Sequence, residues 1–376
     1  MEIRGASALV TGGCGAVGAA IVNRLIRSEG VARVQVLDRR GGGDGSQFAG
    51  LNGAVKVIEA DVRYWDDVWP HFEGVDFVFH QAGVGGVAGE DDWRACHEAL
   101  VGGTLNVARA CVEAGVRKLI SASSAAVYGV PEILPTLEDC DRRNCATWEG
   151  AASVSSEAYL HAFRNAAGLN YVALRYYDVY GDWYPAAGDT PTGMIARWIE
   201  WLLWGERPRV FGDGTQTWDL VHVDDVALAN VLAARIDSNE RVFNVASGNE
   251  VSVRDLVKTL LRIMSREDVA PEYLPQRAAV RIPRRWADIR RATRCLRFEP
   301  QVSLEEGLRR ALTVCESRLG LTEDVPRGDL PEPVSAAEEA AASASRARAA
   351  VDALRNAGIR SAEPTASEDA ASAPLN

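Results

Sequence analysis

The run Ala8-Leu9-Val10-Thr11-Gly12-Gly13-Cys14-Gly15-Ala16-Val17-Gly18 constrains the fold more than any other stretch of the chain. Three apolar residues break into glycines at 12, 13, 15 and 18, and a helical pattern, Ala19 to Arg27, follows. This order reads as strand, glycine turn and helix. The glycines make the tight turn, admit a pyrophosphate close to the backbone and let the helix pack on the strand. The helix start presents unpaired N–H groups and a positive dipole end to phosphates. Gly12, Gly15, Ala16, Val17 and Gly18 are therefore candidate cofactor contacts. A second apolar strand, Val34 to Leu37, ends in Asp38, twenty residues after Gly18. A carboxylate there suits the two ribose hydroxyls of NAD and repels the extra phosphate of NADP. Arg39 and Arg40 follow, so NADP is disfavoured rather than excluded.

Other function classes are set aside by composition. No run of 18 apolar residues exists, so no membrane partner is expected. The chain enters its first strand almost at once, which leaves no room for a signal peptide. Seven cysteines (14, 96, 111, 140, 145, 295 and 315) are scattered without a C-x-x-C pair. That pattern points to a reducing, cytoplasmic setting with neither a disulfide framework nor a metal site. A net charge of −11 argues against nucleic acid as a partner. From Leu321 onward ten acidic and five basic residues give −5 of that total. This Ala/Ser/Glu-rich acidic tail, 321–376, reads as disordered.

Between these limits the chain alternates short apolar runs with helical patterns. Strands are expected at Ser7–Val10, Val34–Leu37, Val55–Glu59, Phe77–His80, Lys118–Ala122, Tyr171–Leu174 and Val242–Val245. The rhythm predicts an α/β fold with a doubly wound parallel sheet and right-handed crossovers. Asp61 and Val62 follow the third strand, and Gln81, Ala82 and Gly83 follow the fourth. Both groups leave the carboxyl edge of the sheet, where such folds bind ligands, and both are candidate cofactor contacts. Helices are expected over Leu100–Ala114, Ser153–Ala166, Met194–Trp204, Val221–Ala234, Ser252–Ile263, Asp288–Cys295 and Ser303–Arg318.

The glycine turn, Asp38, Asp61-Val62, His80-Gln81-Ala82-Gly83, Ser123-Ser124-x-x-Val127-Tyr128-Gly129, Arg175-Tyr176-Tyr177-x-Val179-Tyr180-Gly181 and Gly212-Asp213-Gly214-Thr215 together resemble the extended short-chain dehydrogenase/reductases. More narrowly they resemble the NAD-dependent nucleotide-sugar epimerase/dehydratase family, over roughly residues 3–316. The resemblance implies a Rossmann domain, mainly 1–180 and completed by parts of 215–246. It also implies a smaller C-terminal α/β substrate domain, mainly 181–320, with the active site between the two. By analogy the protein pairs as a homodimer through two long helices, Leu100–Ala114 and Ser153–Ala166.

The resemblance fails where the chemistry should be. Family enzymes use a Ser or Thr, a Tyr as base, and a Lys four residues after the Tyr on the same helix face. Ser124 fills the first position, but the Tyr position falls on Glu149, 25 residues later, and the Lys position on Ser153. Glu149 is either a replacement acid/base in a closed cleft or a carboxylate at a positive helix start. Tyr128 and Tyr159 are alternative phenols and read as structural. The substrate end departs too. Asp178 stands where the family has Asn, Trp218 stands where it often has Arg, and a further basic residue blurs into Ala278-Ala279-Val280-Arg281. A carboxylate repels a diphosphate and Trp removes a bidentate donor. The expected substrate is therefore a small sugar-containing molecule without a diphosphate, such as a nucleoside or glycoside. Tyr177, Asp178 and Trp218 are candidate substrate contacts, and Trp183, Tyr184 and Trp218 are candidates to stack on it. Without a diphosphate tether a keto intermediate would escape while turning over, so transient oxidation followed by loss of water is favoured over epimerisation. Epimerisation of a nucleotide sugar and a non-catalytic NAD-binding sensor or scaffold are the alternatives.

Overall fold

A computed structural model describes residues 1–39, 46–51, 53–84, 92–140, 145–181, 191–275 and 282–321. Met1–Pro331 belongs to one compact unit and Glu332–Asn376 to a second, which lies outside the described residues. The expectations for the tail beyond Leu321, and for 183, 184 and 278–281, fall outside them as well.

Seven strands build the central sheet: β1 (Ser7–Thr11), β2 (Arg33–Asp38), β3 (Val55–Glu59), β4 (Phe77–His80), β5 (Lys118–Ser124), β6 (Tyr171–Tyr176) and β11 (Val242–Val245). Their order is β11-β6-β5-β4-β1-β2-β3, and every pairing is parallel. The order reverses at β1, which places the switch point of a doubly wound sheet at the glycine turn. Alternation along β1 fills both faces. Ala8 and Val10 join one buried cluster with Ile21, Val22 and Leu25 of helix α1 (Ala16–Arg27). Leu9 joins the other with Val107 and Cys111 of α2 (Gly103–Glu113) and Leu160 of α3 (Trp148–Ala167). A strand packed on both faces has no solvent side, which is why β1 reads as an unbroken apolar run.

The expected strands appear within two residues of their predicted ends, and Val55–Glu59, Phe77–His80 and Val242–Val245 match them outright. Helix α3 differs more: it starts at Trp148, five residues before the expected Ser153. The Thr147 hydroxyl accepts from Gly150 N at 3.0 Å and caps this earlier turn, so Glu149 lies inside the helix. The helix expected from Leu100 starts as a π-helical turn, His97–Gly102, before α2. That expected from Val221 begins at Val223 as α5 (Val223–Arg235), because Leu220–His222 is spent as a strand.

A separate apolar cluster gathers α4 (Pro191–Leu203), α6 (Val253–Ile263) and, after the short α7 (Arg290–Leu296), α8 (Leu304–Arg318). Trp198, Trp201, Leu256, Leu260 and Leu308 are buried in it. Three two-stranded pairings flank it: β7 (Asp178–Tyr180) with β10 (Leu220–His222), β8 (Arg209–Phe211) with β13 (Glu272–Leu274), and β9 (Thr217–Trp218) with β12 (Val251–Ser252).

Candidate functional site

The glycine turn is held by contacts that a side chain would destroy. Gly12 has φ +65°, and a Cβ there would lie 2.7 Å from Ala82 N. Gly18 is buried and packs α1 on the turn; a Cβ on it would lie 2.6 Å from Gly13 Cα. Gly15 is the cap residue of α1 and brings no side chain, so the first-turn amides keep no side-chain acceptor. Asp38 ends β2 and braces the turn: its Oδ2 accepts from Cys14 N at 2.7 Å and its Oδ1 from Arg39 N at 2.9 Å.

Beside this turn lies a cavity of about 300 Å³. Of the candidate cofactor contacts, Gly12, Gly15, Asp38, Asp61, Val62, Gln81, Ala82 and Gly83 line it. Ala16 and Gly18 are not among its lining residues, and Gly18 acts through packing. The Asp61 carboxylate is already engaged. It accepts from Arg63 Nε at 3.0 Å and Nη2 at 2.7 Å and from Arg63 N at 3.0 Å, which holds it below the usual carboxylate range. Arg63, two residues downstream, lines the same cavity and was not singled out from sequence. A cation so close behind a candidate carboxylate was the available signal.

His80 locks the segment between this cavity and the next. Thr104 Oγ1 donates to Leu100 O, so it accepts from His80 Nε2 at 3.1 Å. His80 Nδ1 is then the acceptor for Thr11 Oγ1 at 2.7 Å, and Thr11 Oγ1 accepts from Ala82 N at 3.2 Å. This network assigns the neutral tautomer. Burial drives the imidazole pKa down to about 4.

A second cavity, about 310 Å³, shares Gln81, Ala82, Gly83 and Val84 with the first. Val17, Ser123, Ser124, Glu149 and Ser153 line it, so the two candidate catalytic residues meet here from different elements. Ser124 closes β5, and its Oγ accepts from Ala126 N at 3.1 Å. Glu149 sits half-buried in the first turn of α3 and makes no hydrogen bond or ion pair among the described residues. Ser153, one turn on, is buried. Ser156 donates to Leu100 O at 2.8 Å, tying α3 to the π-helical turn. Tyr176 closes a ring of three: its hydroxyl donates to Gln81 Oε1 at 2.9 Å and accepts from Asn230 Nδ2 at 2.8 Å, while Gln81 Nε2 donates to Asn230 Oδ1 at 3.2 Å.

The two alternative phenols lie elsewhere. Tyr159 is 46% exposed. Tyr128 is buried and accepts from Arg175 Nη1 at 2.7 Å, while Arg175 grips Glu157 through Nε and Nη2. Ser123 donates to that same Glu157 at 2.7 Å.

The structure does not bring the candidate substrate residues into either cavity. Tyr177 is buried beside Tyr128, their rings 6.4 Å apart. Trp218 is buried and stacks on Trp198 at 6.4 Å. Asp178 is buried and ion-paired with Arg285, and it accepts from Asp219 N at 3.2 Å. The expectation that Asp178 repels a phosphate through a bare charge is therefore corrected: Arg285 neutralises it.

The glycine turn, the uncapped start of α1 and Asp38 fit the pyrophosphate and ribose of NAD. Among the described residues no lysine or arginine lines the second cavity. Comparisons agree with this geometry. The NAD dependent epimerase/dehydratase family matches over residues 8–246. A UDP-glucose 4-epimerase of Mycolicibacterium smegmatis is 33% identical over 80% of this chain and 95% of its own length. The crystal structure of a UDP-glucose 4-epimerase from Thermotoga maritima with UDP-glucose superposes with a TM-score of 0.75 at 33% identity, covering 84% of this chain and 100% of that one. That of the Thermus thermophilus UDP-glucose 4-epimerase with NAD gives 0.72 at 29% identity, covering 82% and 99%.

Proposed function

This chain belongs to the NAD dependent epimerase/dehydratase family, and we propose that it is a sugar-modifying enzyme in which Glu149 does the work of the family's phenol. The observation that carries this is the meeting of Ser124 and Glu149 in one cavity that shares a wall with the cofactor cavity. NAD, when bound, supplies a hydride acceptor and, later, a hydride donor. Ser124 positions a sugar hydroxyl by hydrogen bonding, and Glu149 takes its proton as the carbonyl forms. Glu149 then hands that proton to the β-hydroxyl, which leaves as water, and the carboxylate so regenerated takes the proton next to the carbonyl, to be given back to that carbon when the hydride returns. Return of the hydride makes loss of water the net change.

The substrate is a sugar-containing molecule, bound between the sheet and the cluster around Trp198, with residues 1–180 and 181–320 as the two domains. The case for a substrate without a diphosphate now rests on Trp218, which is buried and offers no cation. The relatives favour a second reading, 4-epimerisation of a UDP-sugar. A homodimer through α2 and α3 and a cytoplasmic location complete the proposal. No disulfide joins any of the seven cysteines, and no described helix is long and apolar enough to cross a membrane.

The test is Glu149→Gln, assayed with sugars and UDP-sugars and with bound dinucleotide quantified after denaturation. Loss of turnover with NAD retained supports the role of Glu149. A fully active variant removes it, and no turnover by wild type on any sugar leaves the sensor or scaffold reading. Loss of 18 mass units from substrate identifies dehydration, and an unchanged mass with an inverted centre identifies epimerisation.

A further inference from the structure

We propose that the buried pair Glu157–Arg175 positions the reacting groups: it fixes how far Glu149 stands from Ser124, although neither of its side chains lines either cavity. The inference rests on the functional reading above. Ser124 is held by β5, while Glu149 makes no hydrogen bond or ion pair among the described residues, so its place is set by how α3 lies on β5. Two contacts govern that docking. At the near end Gly150 lies against the turn that follows β5, where a Cβ would come 2.4 Å from Ala126 O. Seven residues further along α3, about 10 Å by helical rise, Glu157 takes the Ser123 hydroxyl at 2.7 Å, from the residue next to Ser124. The first contact alone lets α3 pivot, and the second stops it. Ser156 holds α3 to the π-helical turn and not to β5.

Arg175 makes the second contact rigid. It stands opposite Ser123 in the sheet register, and its Nε and Nη2 donate to the two oxygens of the Glu157 carboxylate at 2.8 and 2.7 Å. Its Nη1 donates to the Tyr128 hydroxyl at 2.7 Å, at the far end of the turn that Ser124 opens, and to Glu138 O at 2.8 Å. One planar cation thus ties α3, β6 and the turn after Ser124 to each other. A carboxylate and a guanidinium joined by two parallel bonds have a set direction as well as a set distance. Burial of both side chains keeps salt from screening the pair. A buried ion pair adds little stability over apolar residues of the same volume. Its use in this fold is direction, and Glu157 and Arg175 are positioning residues.

The double variant Glu157→Leu/Arg175→Met replaces the pair by apolar side chains, which separates stability from positioning. The full-length protein is assayed with the sugars and UDP-sugars of the test above, with bound NAD quantified after denaturation and folding followed in urea. The expected variant folds, retains NAD and keeps a KM within about twofold of wild type, while kcat falls by about tenfold to a hundredfold, as a displacement near 1 Å suffices to cause. A folded double variant with wild-type kcat overturns the proposal. Where the double variant does not fold, Ser123→Ala decides: it leaves the ion pair whole and removes only the tie to β5. There kcat should fall by about tenfold at unchanged KM. Wild-type kcat in Ser123→Ala, or a change in KM alone, overturns the proposal while an inactive Glu149→Gln keeps the functional reading. An active Glu149→Gln, or a wild type that turns over no sugar, removes the functional reading and this inference together.

Discussion

Asp178 and Arg285 form an ion pair across 107 residues of chain, joining β7 to the segment ahead of α7. The carboxylate is 2% exposed and the guanidinium 33%. Burial raises the Asp178 pKa and the neighbouring guanidinium opposes that rise. Removing one partner of such a pair leaves the other's charge unmet. Arg285→Ala should lower stability by about 3 kcal/mol, the low end for a buried pair because Arg285 is partly solvated. Asp178→Asn/Arg285→Ala should recover part of that loss. Urea unfolding of the two variants measures it, and an Arg285→Ala protein as stable as wild type contradicts the pairing.

Gly18→Ala tests the turn. Its new Cβ would overlap Gly12 O and crowd Gly13 Cα, both backbone atoms that cannot rotate away. Overpacking of this kind costs about 2 kcal/mol. The variant should melt earlier and retain no dinucleotide after purification. Retention at wild-type stoichiometry would show that the turn can open without loss.

Ser124→Ala separates positioning from proton transfer. Ser124 Oγ accepts from Ala126 N, so its loss also loosens the short turn that follows β5. Turnover should fall by about 10²- to 10³-fold, the usual cost of removing one hydrogen-bonding group aimed at the reacting oxygen, with NAD still bound. Glu149→Asp should keep more activity than Glu149→Gln, because it keeps a carboxylate. Equal activity in those two variants would argue that the charge at 149 is irrelevant.

His80 predicts a pH dependence whose sign can be worked out. Its folded pKa is about 4, below the unfolded value near 6.5. Between these pH values the unfolded chain binds the extra proton, so stability falls as the solution is acidified from pH 6.5 toward 4. The span is worth about 3 kcal/mol. Asp219, pushed up to about 6 by burial, works the other way: stability from that group rises on acidification from about 6. The comparison of wild type with His80→Asn isolates the imidazole, and the variant's stability should decline less between pH 6.5 and 4. Identical slopes would contradict a neutral buried His80.

The sheet was legible because its strands carry local signals: β1, β4 and β5 are apolar runs bounded by glycine or polar turns. Asp38 and the segment Gln81–Gly83 were legible for the same reason, since Asp38 ends a strand and Gln81–Gly83 directly follows one. What escaped was long-range. Arg285 cancels Asp178 from 107 residues away, and Trp198 takes the face of Trp218 that looked available for a ligand. The ring of Gln81, Tyr176 and Asn230 joins three elements with no common motif. Strands β7 to β10, β12 and β13 are only two or three residues long, too short for periodicity to register. The start of α3 was hidden by Gly150 and Ser153, weak helix formers, while the Thr147 cap decides the boundary.

Gln81, Ala82, Gly83 and Val84 are the common wall of both cavities, and Ala82 N is fastened to Thr11 Oγ1, which in turn is fastened to His80. A dinucleotide lying across the two chambers would rest on one short span of main chain that is fastened to Thr11 twice, by Gln81 N to Thr11 O and by Ala82 N to Thr11 Oγ1. The two halves of the site therefore cannot be tuned independently. A change at Thr11, which lines neither chamber, would shift the seat of the adenosine and the seat of the reacting sugar by the same movement.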